Sequence, residues 1–205
     1  MRKIAVLVMA VLLAGCSAKQ VNPNVISKPL YTTPSPAKAE LILSREFQSK
    51  VYSSKPSYGR AWSIYTFDIH AGGPFSQALI AHLRAKYPSL RVGDVADGNA
   101  SDIQVTPSDI TIEFGLDDGS AVLATGLFPL AGFAMNTVAG AKTHVTASVR
   151  ANGVTREVKV LGAGAVPSAY LTVSEQKLYD AIAASLDDAA SRLAAEVNQI
   201  ATAKP

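Results

Sequence analysis

The feature that most constrains the fold is an alternating segment followed by Asn152-Gly153. Residues 144–150 alternate between polar and apolar side chains, as half-buried strands do, and residues 154–161 follow the Asn-Gly pair as the second strand. Asn-Gly favours a two-residue type I′ turn, in which both central residues need a positive φ. Such a turn predicts the cross-strand pairs Ala147–Val158, Val145–Val160, Ser148–Glu157 and Thr146–Lys159. The first two pairs make one face apolar, so the turn and the hydrophobic pattern predict the same hairpin.

Two segments have the periodicity of amphipathic helices. The first begins at Gly72-Gly73-Pro74 and is ended by Pro88. The second runs from about Val173 to Ile200, with Thr172 and Glu175 spaced as a capping box. Their apolar stripes are Phe75, Leu79, His82, Leu83 and Tyr87 in the first, and Leu178, Ile182, Leu186, Ala189, Leu193, Val197 and Ile200 in the second. Each stripe predicts packing on a sheet, and the alternative for the second helix is that one face docks a partner.

Other strands are predicted from shorter patterns. Apolar residues on both faces of Trp62–Ile69 indicate a strand inside the sheet. Pro107 lies where the alternation changes phase, which indicates a bulge or a sheet edge. Gly162 and Gly164 are expected to loosen the chain after the hairpin. The remaining strand candidates are the region of Leu41, Leu43 and Phe47, the segment Leu90–Val95, the pair Ile103 and Val105, and the series Ile110, Ile112 and Phe114.

This element order predicts an α+β fold. We expect a mostly antiparallel sheet with two helices packed on one face and a long C-terminal helix. The single domain is predicted over residues 39–200, followed by a short tail at 201–205.

The N-terminus has the organisation of an export signal. Arg2 and Lys3 precede a short apolar run that is less than the roughly 20 residues needed to span a bilayer. The run ends in Leu13-Ala14-Gly15-Cys16, which resembles the lipobox of bacterial lipoproteins. The alternative is an ordinary signal peptide followed by a chance cysteine.

The lipobox resemblance implies a processing route. Leu13, Ala14 and Gly15 would be the signal-peptidase recognition positions, and residues 1–15 would be removed. The Cys16 thiol would receive diacylglycerol, and its new amino group a further acyl chain such as palmitate. Serine at position 17 implies delivery to the outer membrane of a Gram-negative cell envelope, with the domain facing the periplasm.

Residues 16–38 are predicted to be a lipidated tether. Prolines 23, 29, 34 and 36 interrupt regular structure, because each lacks a backbone donor. The alternative is a segment wrapped against the domain through Val25, Ile26, Leu30 and Tyr31.

The architecture carries a second resemblance. A lipobox, a tether, an Asn-Gly hairpin and a terminal helix with Leu178, Ala181, Ile182, Leu186 and Ala189 are similar to the YajG-type lipoproteins. The element order is more distantly similar to lipoproteins of curli secretion, peptidoglycan-synthase activation and lipopolysaccharide assembly. The likeness covers roughly residues 60–200 and implies a functional residue only at Cys16.

Residues 120–141 contain no charged side chain. A mid-segment proline and several glycines argue against a membrane-spanning helix. The segment is predicted to be either a buried excursion between strands or an apolar surface that contacts lipid or protein. The residues expected at such an interface are Leu127, Phe128, Leu130 and Phe133.

Composition and motifs give little support for catalysis or nucleic-acid binding. The chain has 19 basic and 16 acidic residues, and loss of residues 1–15 with Arg2 and Lys3 leaves a net charge of only +1. Its histidines, His70, His82 and His144, belong to no catalytic motif. The acidic loop of Asp94, Asp97, Asn99 and Asp102 lacks calcium-loop spacing. No cofactor, metal or catalytic residue is therefore predicted.

Two functions remain. The first is a membrane-anchored, non-enzymatic module of the cell envelope that binds an envelope protein or forms a homo-oligomer. The alternative is an envelope or cell-wall hydrolase with an unrecognised motif.

Overall fold

The computed structural model describes residues 18–29, 33–59, 62–96, 101–117, 136–169 and 174–203. The elements, in chain order, are β1 (Lys19–Val21), β2 (Ala39–Ile42), α1 (Arg45–Gln48), β3 (Val51–Ser54), β4 (Phe67–His70), α2 (Gly72–Lys86), β5 (Arg91–Gly93), β6 (Ile103–Asp117), β7 (Asn136–Ala151), β8 (Val154–Ala169) and α3 (Glu175–Thr202). The predicted α+β class is confirmed. The strands form two mixed sheets instead of one, and α1 adds a short third helix.

The smaller sheet has the strand order β1-β4-β3. β4 pairs in parallel with β1 and antiparallel with β3. The predicted strand Trp62–Ile69 is wrong in its first half, because the Tyr65 amide donates to the Trp62 carbonyl in a turn (2.9 Å). Only Phe67 and Ile69 are fully buried, whereas Ile64 is 79% exposed. Apolar residues on both faces of the segment Trp62–Ile69 therefore did not mean that both faces are buried.

The larger sheet has the order β5-β2-β6-β7-β8. Its first three strands are parallel neighbours, and β6, β7 and β8 follow as antiparallel neighbours. Of the two alternatives at Pro107, a bulge or a sheet edge, the bulge is confirmed, since the register shifts between Pro107 and Asp109. Phe47 belongs to α1 and not to a strand, because Ser44 caps that helix by accepting the Phe47 amide (3.1 Å).

The hairpin formed by β7 and β8 confirms the predicted register in full. Val145 faces Val160, Ala147 faces Val158, and the polar pairs follow on the other face. Asn152 and Gly153 have φ of 52° and 75°, as a type I′ turn requires. Both strands continue well beyond the predicted segments and reach 16 residues.

Replacing Gly153 with valine should cost about 1–3 kcal/mol, because a β-branched side chain rarely adopts a positive φ. An added Cβ at Gly153 meets no atom within 4 Å, so the cost isolates backbone strain from steric overlap. The measurement is the free energy of unfolding in urea. Gly153→Asn is the matched control, since asparagine adds a side chain at the same position but tolerates positive φ. An unchanged midpoint for Gly153→Val would contradict the strained-turn explanation.

The two longer helices bury their predicted stripes. Leu178, Ile182 and Leu186 of α3 are fully buried, and α3 lies across β7 and β8 and against α2. The predicted capping box is wrong, because Ser174 and not Thr172 occupies the N-cap position. Thr172 itself lies outside the described residues. None of the described helices is long and apolar enough to cross a membrane.

Gly162 and Gly164 do not loosen the chain, in contrast to the expectation from sequence. Both lie within β8 on the face that α3 covers. A Cβ at Gly164 would lie 2.0 Å from the Ala181 carbonyl oxygen, and one at Gly162 would lie 2.2 Å from that of Ser185. The missing side chains therefore let the helix backbone lie directly on the strand.

Candidate functional site

The first described residues of the chain lie on the folded domain. Residues 18–29, which we call the N-terminal arm, begin with β1, where Lys19 pairs with Phe67 and Val21 with Ile69. Val21 is fully buried. Of the two alternatives for residues 16–38, the contacts of the arm correspond to the wrapped one, although Ile26 is 72% exposed and Leu30 and Tyr31 lie outside the described residues.

Side chains hold β1 to its neighbours. The Gln20 amide donates to Asp68 (2.8 Å) and its oxygen accepts from His70 Nε2 (2.9 Å). Ser53 of β3 donates to the other oxygen of Asp68 (2.7 Å). These hydrogen bonds, from Ser53 first and then Gln20, hold the pKa of Asp68 below its usual value. Asp68 thus links all three strands of the smaller sheet.

Lys19 joins the arm to α3 and to the turn before β4. Its ammonium pairs with Glu175, the first residue of α3, and lies 4.0 Å from the centre of the Tyr65 ring. Tyr179 also donates to Glu175 (3.1 Å). Burial and this carboxylate together raise the pKa of Tyr179. The start of the arm is thereby tied to the end of the domain where α3 begins.

The second half of the arm borders a cavity of about 430 Å³. His82 of α2 donates through Nε2 to Asp187 Oδ1 of α3 (2.9 Å), and Ser27 of the arm donates to the same oxygen (2.6 Å). His82 is 3% exposed, and its Nδ1 has no hydrogen-bond partner among the described residues. The cavity is lined by Asn24, Ile26, Lys28, His82, Asp180, Ala183, Ala184, Asp187, Asp188 and Ser191.

The arrangement of Ser27, His82 and Asp187 does not activate a nucleophile. In a hydrolytic relay the serine must give its proton to the histidine, and the carboxylate must orient the opposite ring nitrogen. Here Ser27 and His82 both donate to one oxygen of Asp187. The cluster instead fastens the arm to α2 and α3.

The three histidines are not brought together. His70 bonds to Gln20, His82 is buried under the arm, and His144 is half exposed with Nε2 3.7 Å from Glu113. In the described ranges, no group of three or more His, Cys, Asp or Glu side chains is placed to hold a metal ion. Asp102 of the predicted acidic loop accepts the Lys38 amide (2.8 Å), which is a structural role.

Most residues that the sequence singled out lie outside the described residues. This holds for Cys16 and its recognition positions Leu13, Ala14 and Gly15, and for the interface candidates Leu127, Phe128, Leu130 and Phe133. Of the uncharged segment 120–141, residues 136–141 form the start of β7, with Ala139 and Ala141 buried and Val138 38% exposed.

The comparisons with known proteins give a distant likeness in overall architecture. No family model matches the chain, and no curated protein matches it. The crystal structure of protein XCC0632 from Xanthomonas campestris, family-model DUF330, is 12% identical over 89% of this chain and 98% of that chain, with a TM-score of 0.46. A second solved structure, an uncharacterized protein, is 9% identical over 88% of this chain and 99% of that chain, with a TM-score of 0.35.

Proposed function

We propose that this chain is a lipoprotein anchored in the outer membrane, whose periplasmic domain is a non-enzymatic binding or assembly module of the cell envelope. The observation that carries the proposal is the sequence Leu13-Ala14-Gly15-Cys16 directly ahead of β1. Two or three acyl chains on one cysteine would make a stable anchor, since a single chain binds only marginally. The YajG-like assignment expected from the sequence belongs to this proposal.

The short distance between anchor and domain supports an assembly role. Lys19 is three positions after Cys16, and an extended chain of that length spans at most about 10 Å. A domain held so closely by β1 has a restricted orientation on the membrane. A restricted orientation favours lasting contact with a neighbouring envelope component over a search through the periplasm.

The non-enzymatic part of the proposal is supported by the cluster under the arm. Among the described residues, Ser27, His82 and Asp187 most resemble a hydrolytic set, and both donors are used to hold one carboxylate oxygen. Turnover of an envelope substrate that is abolished by His82→Gln would contradict this part and favour the hydrolase alternative.

The outer edge of β8 supports a proposal for how a partner would bind. No described strand pairs with that edge. Asp188 accepts the Ala163 amide there (2.9 Å) and is held by Arg192 (2.8 Å). The backbone nitrogen of Pro167 points toward the same edge of the sheet as that of Ala163. A carboxylate cap and a proline both discourage strand addition. We therefore expect an envelope protein or a second copy to bind through side chains, which crosslinking in intact envelopes would test.

The anchor is tested by Cys16→Ala. The variant should be unacylated and should move from the membrane fraction to the soluble periplasm, because the domain alone would lack the transfer energy of the acyl chains. Fractionation and mass spectrometry of the N-terminus give the readout. Ser17→Ala is the matched control and should stay in the outer membrane. A Cys16→Ala protein that keeps its place there after removal of residues 1–15 would mean that something other than lipid holds it.

A further inference from the structure

The turn between residues 62 and 65 exposes apolar side chains to solvent. Ile64 is 79% exposed and Tyr65 is 40% exposed. Trp62 packs partly on the core and has a φ of 61°, a conformation that bulky residues rarely adopt. The stretch from Trp62 to Thr66 carries no charged side chain. Strained backbone is often found at functional sites, so a strained turn with exposed apolar side chains is a candidate contact surface.

The same turn lies beside the point where the chain arrives from Cys16. The Lys19 amide donates to the Thr66 carbonyl (2.8 Å), and the Lys19 ammonium lies over the Tyr65 ring. Cys16 is three positions upstream of Lys19, and a chain of that length reaches at most about 10 Å from the Lys19 Cα atom. An acylated Cys16 would therefore bring the turn to the membrane surface.

We propose that the turn of Trp62 to Tyr65 inserts into the headgroup region of the bilayer that holds the Cys16 lipid. The proposal rests on the lipidation proposed above. Tryptophan and tyrosine favour the interface between lipid and water because each combines an apolar ring with one polar group. Ile64 would enter beneath them, where its transfer out of water is favourable. Since the anchor already supplies proximity, a modest apolar contact is sufficient to set the orientation of the domain.

This contact would orient the long axis of the larger sheet away from the membrane. Tyr58, which precedes the turn, forms a bridge with Gly115 near the end of β6, and Lys19 pairs with Glu175 at the start of α3. The Asn152-Gly153 turn lies at the other end of α3, where Asn152 donates to the carbonyl oxygens of Ala201 and Ala203, and a helix from Glu175 to Ala201 is roughly 40 Å long. The hairpin tip would thus point into the periplasm.

The test uses the only tryptophan of the chain, Trp62, as its own probe. Mature lipidated protein is reconstituted in phosphatidylethanolamine and phosphatidylglycerol vesicles that contain brominated phosphatidylcholine, and floated vesicles are measured by fluorescence. We expect blue-shifted emission that bromines near the glycerol end quench more strongly than bromines near the methyl end. Ile64→Asp should lower the quenched fraction by about half or more, because a carboxylate resists transfer out of water.

Val154→Asp is the matched control. Val154 is 50% exposed and adjoins the hairpin turn at the far end of the sheet, so its substitution should leave the quenching unchanged. Protein that floats, but whose Trp62 is quenched by aqueous acrylamide and not by bromines, would overturn this inference while the anchor stands. Equal loss of quenching in both variants would also overturn it. Protein that does not float would overturn the anchor and this inference together.

Discussion

A single methyl group at Gly164 is expected to destabilise the domain by on the order of 3 kcal/mol or more, the upper range for overpacked cores. The added Cβ would lie 2.0 Å from the Ala181 carbonyl oxygen and 2.6 Å from the Ser185 amide nitrogen. Both atoms belong to the backbone of α3, so no side-chain rotation can relieve the overlap. The strand or the helix would have to move, and the buried Thr143–Ser185 hydrogen bond beside them (2.7 Å) would be disturbed. Urea unfolding of Gly164→Ala measures the loss.

Whether Gly164→Ala lowers or raises the free energy of unfolding distinguishes a steric conflict from its absence. Glycine inside a strand is intrinsically less stable than alanine by roughly 0.5–1 kcal/mol, so Gly164→Ala without a steric conflict would stabilise the domain. Ala165→Val is the matched control, because position 165 is exposed on the other face of β8. It should change the free energy of unfolding little. A stabilised Gly164→Ala protein would mean that α3 does not lie against β8 as described.

Asp187→Ala should cost about 1–3 kcal/mol, the usual penalty for a buried donor left without an acceptor. The substitution removes the oxygen that accepts from both His82 and Ser27. His82 would then be buried with neither ring nitrogen bonded to a described residue. We also expect the arm to open more often, which hydrogen exchange at residues 22–29 would detect as faster exchange.

Two further variants separate the parts of this effect. Ser27→Ala removes only the contact to the arm and should cost less than about 1 kcal/mol, while it still raises exchange in the arm. Adding His82→Leu to Asp187→Ala removes the stranded donor and should recover part of the lost stability. Equal stability of Asp187→Ala and the unmodified protein would show that the carboxylate does not hold His82.

The hairpin and the two long helices were predicted from sequence because their signals are local. The β7–β8 register depends on two turn residues with positive φ and on side chains within about ten positions on either side. The buried stripes of α2 and α3 likewise repeat along one continuous segment. The strand predicted over Trp62–Ile69 was half wrong for the opposite reason. The strands β1 and β3 that pair with β4 come from residues 19–21 and 51–54. Nothing within residues 62–69 shows where that pairing ends.

The candidate site was less accessible to sequence reasoning. His82 was noted, but Asp187 is 105 positions away and Ser27 is 160 positions from Asp187, so no spacing connects them. Gln20 and Lys19 lie in a stretch predicted to be a tether, and their partners Asp68 and Glu175 are also remote. Prolines in that stretch exclude regular structure, but they do not exclude docking on a surface formed elsewhere.

By itself, the sequence determined the α+β class, the hairpin register and the helix faces, and it contains the segment Leu13-Ala14-Gly15-Cys16 on which the proposed anchor rests. These depend on turn geometry, side-chain periodicity and a contiguous motif, which are properties of neighbouring residues. Only the tertiary structure decided that the arm docks beside Thr66, that Gly164 lets the α3 backbone pack directly on β8, and that Ile64 is exposed. Each of these depends on which distant backbone or side chain arrives to cover a surface, and local propensity does not encode that choice.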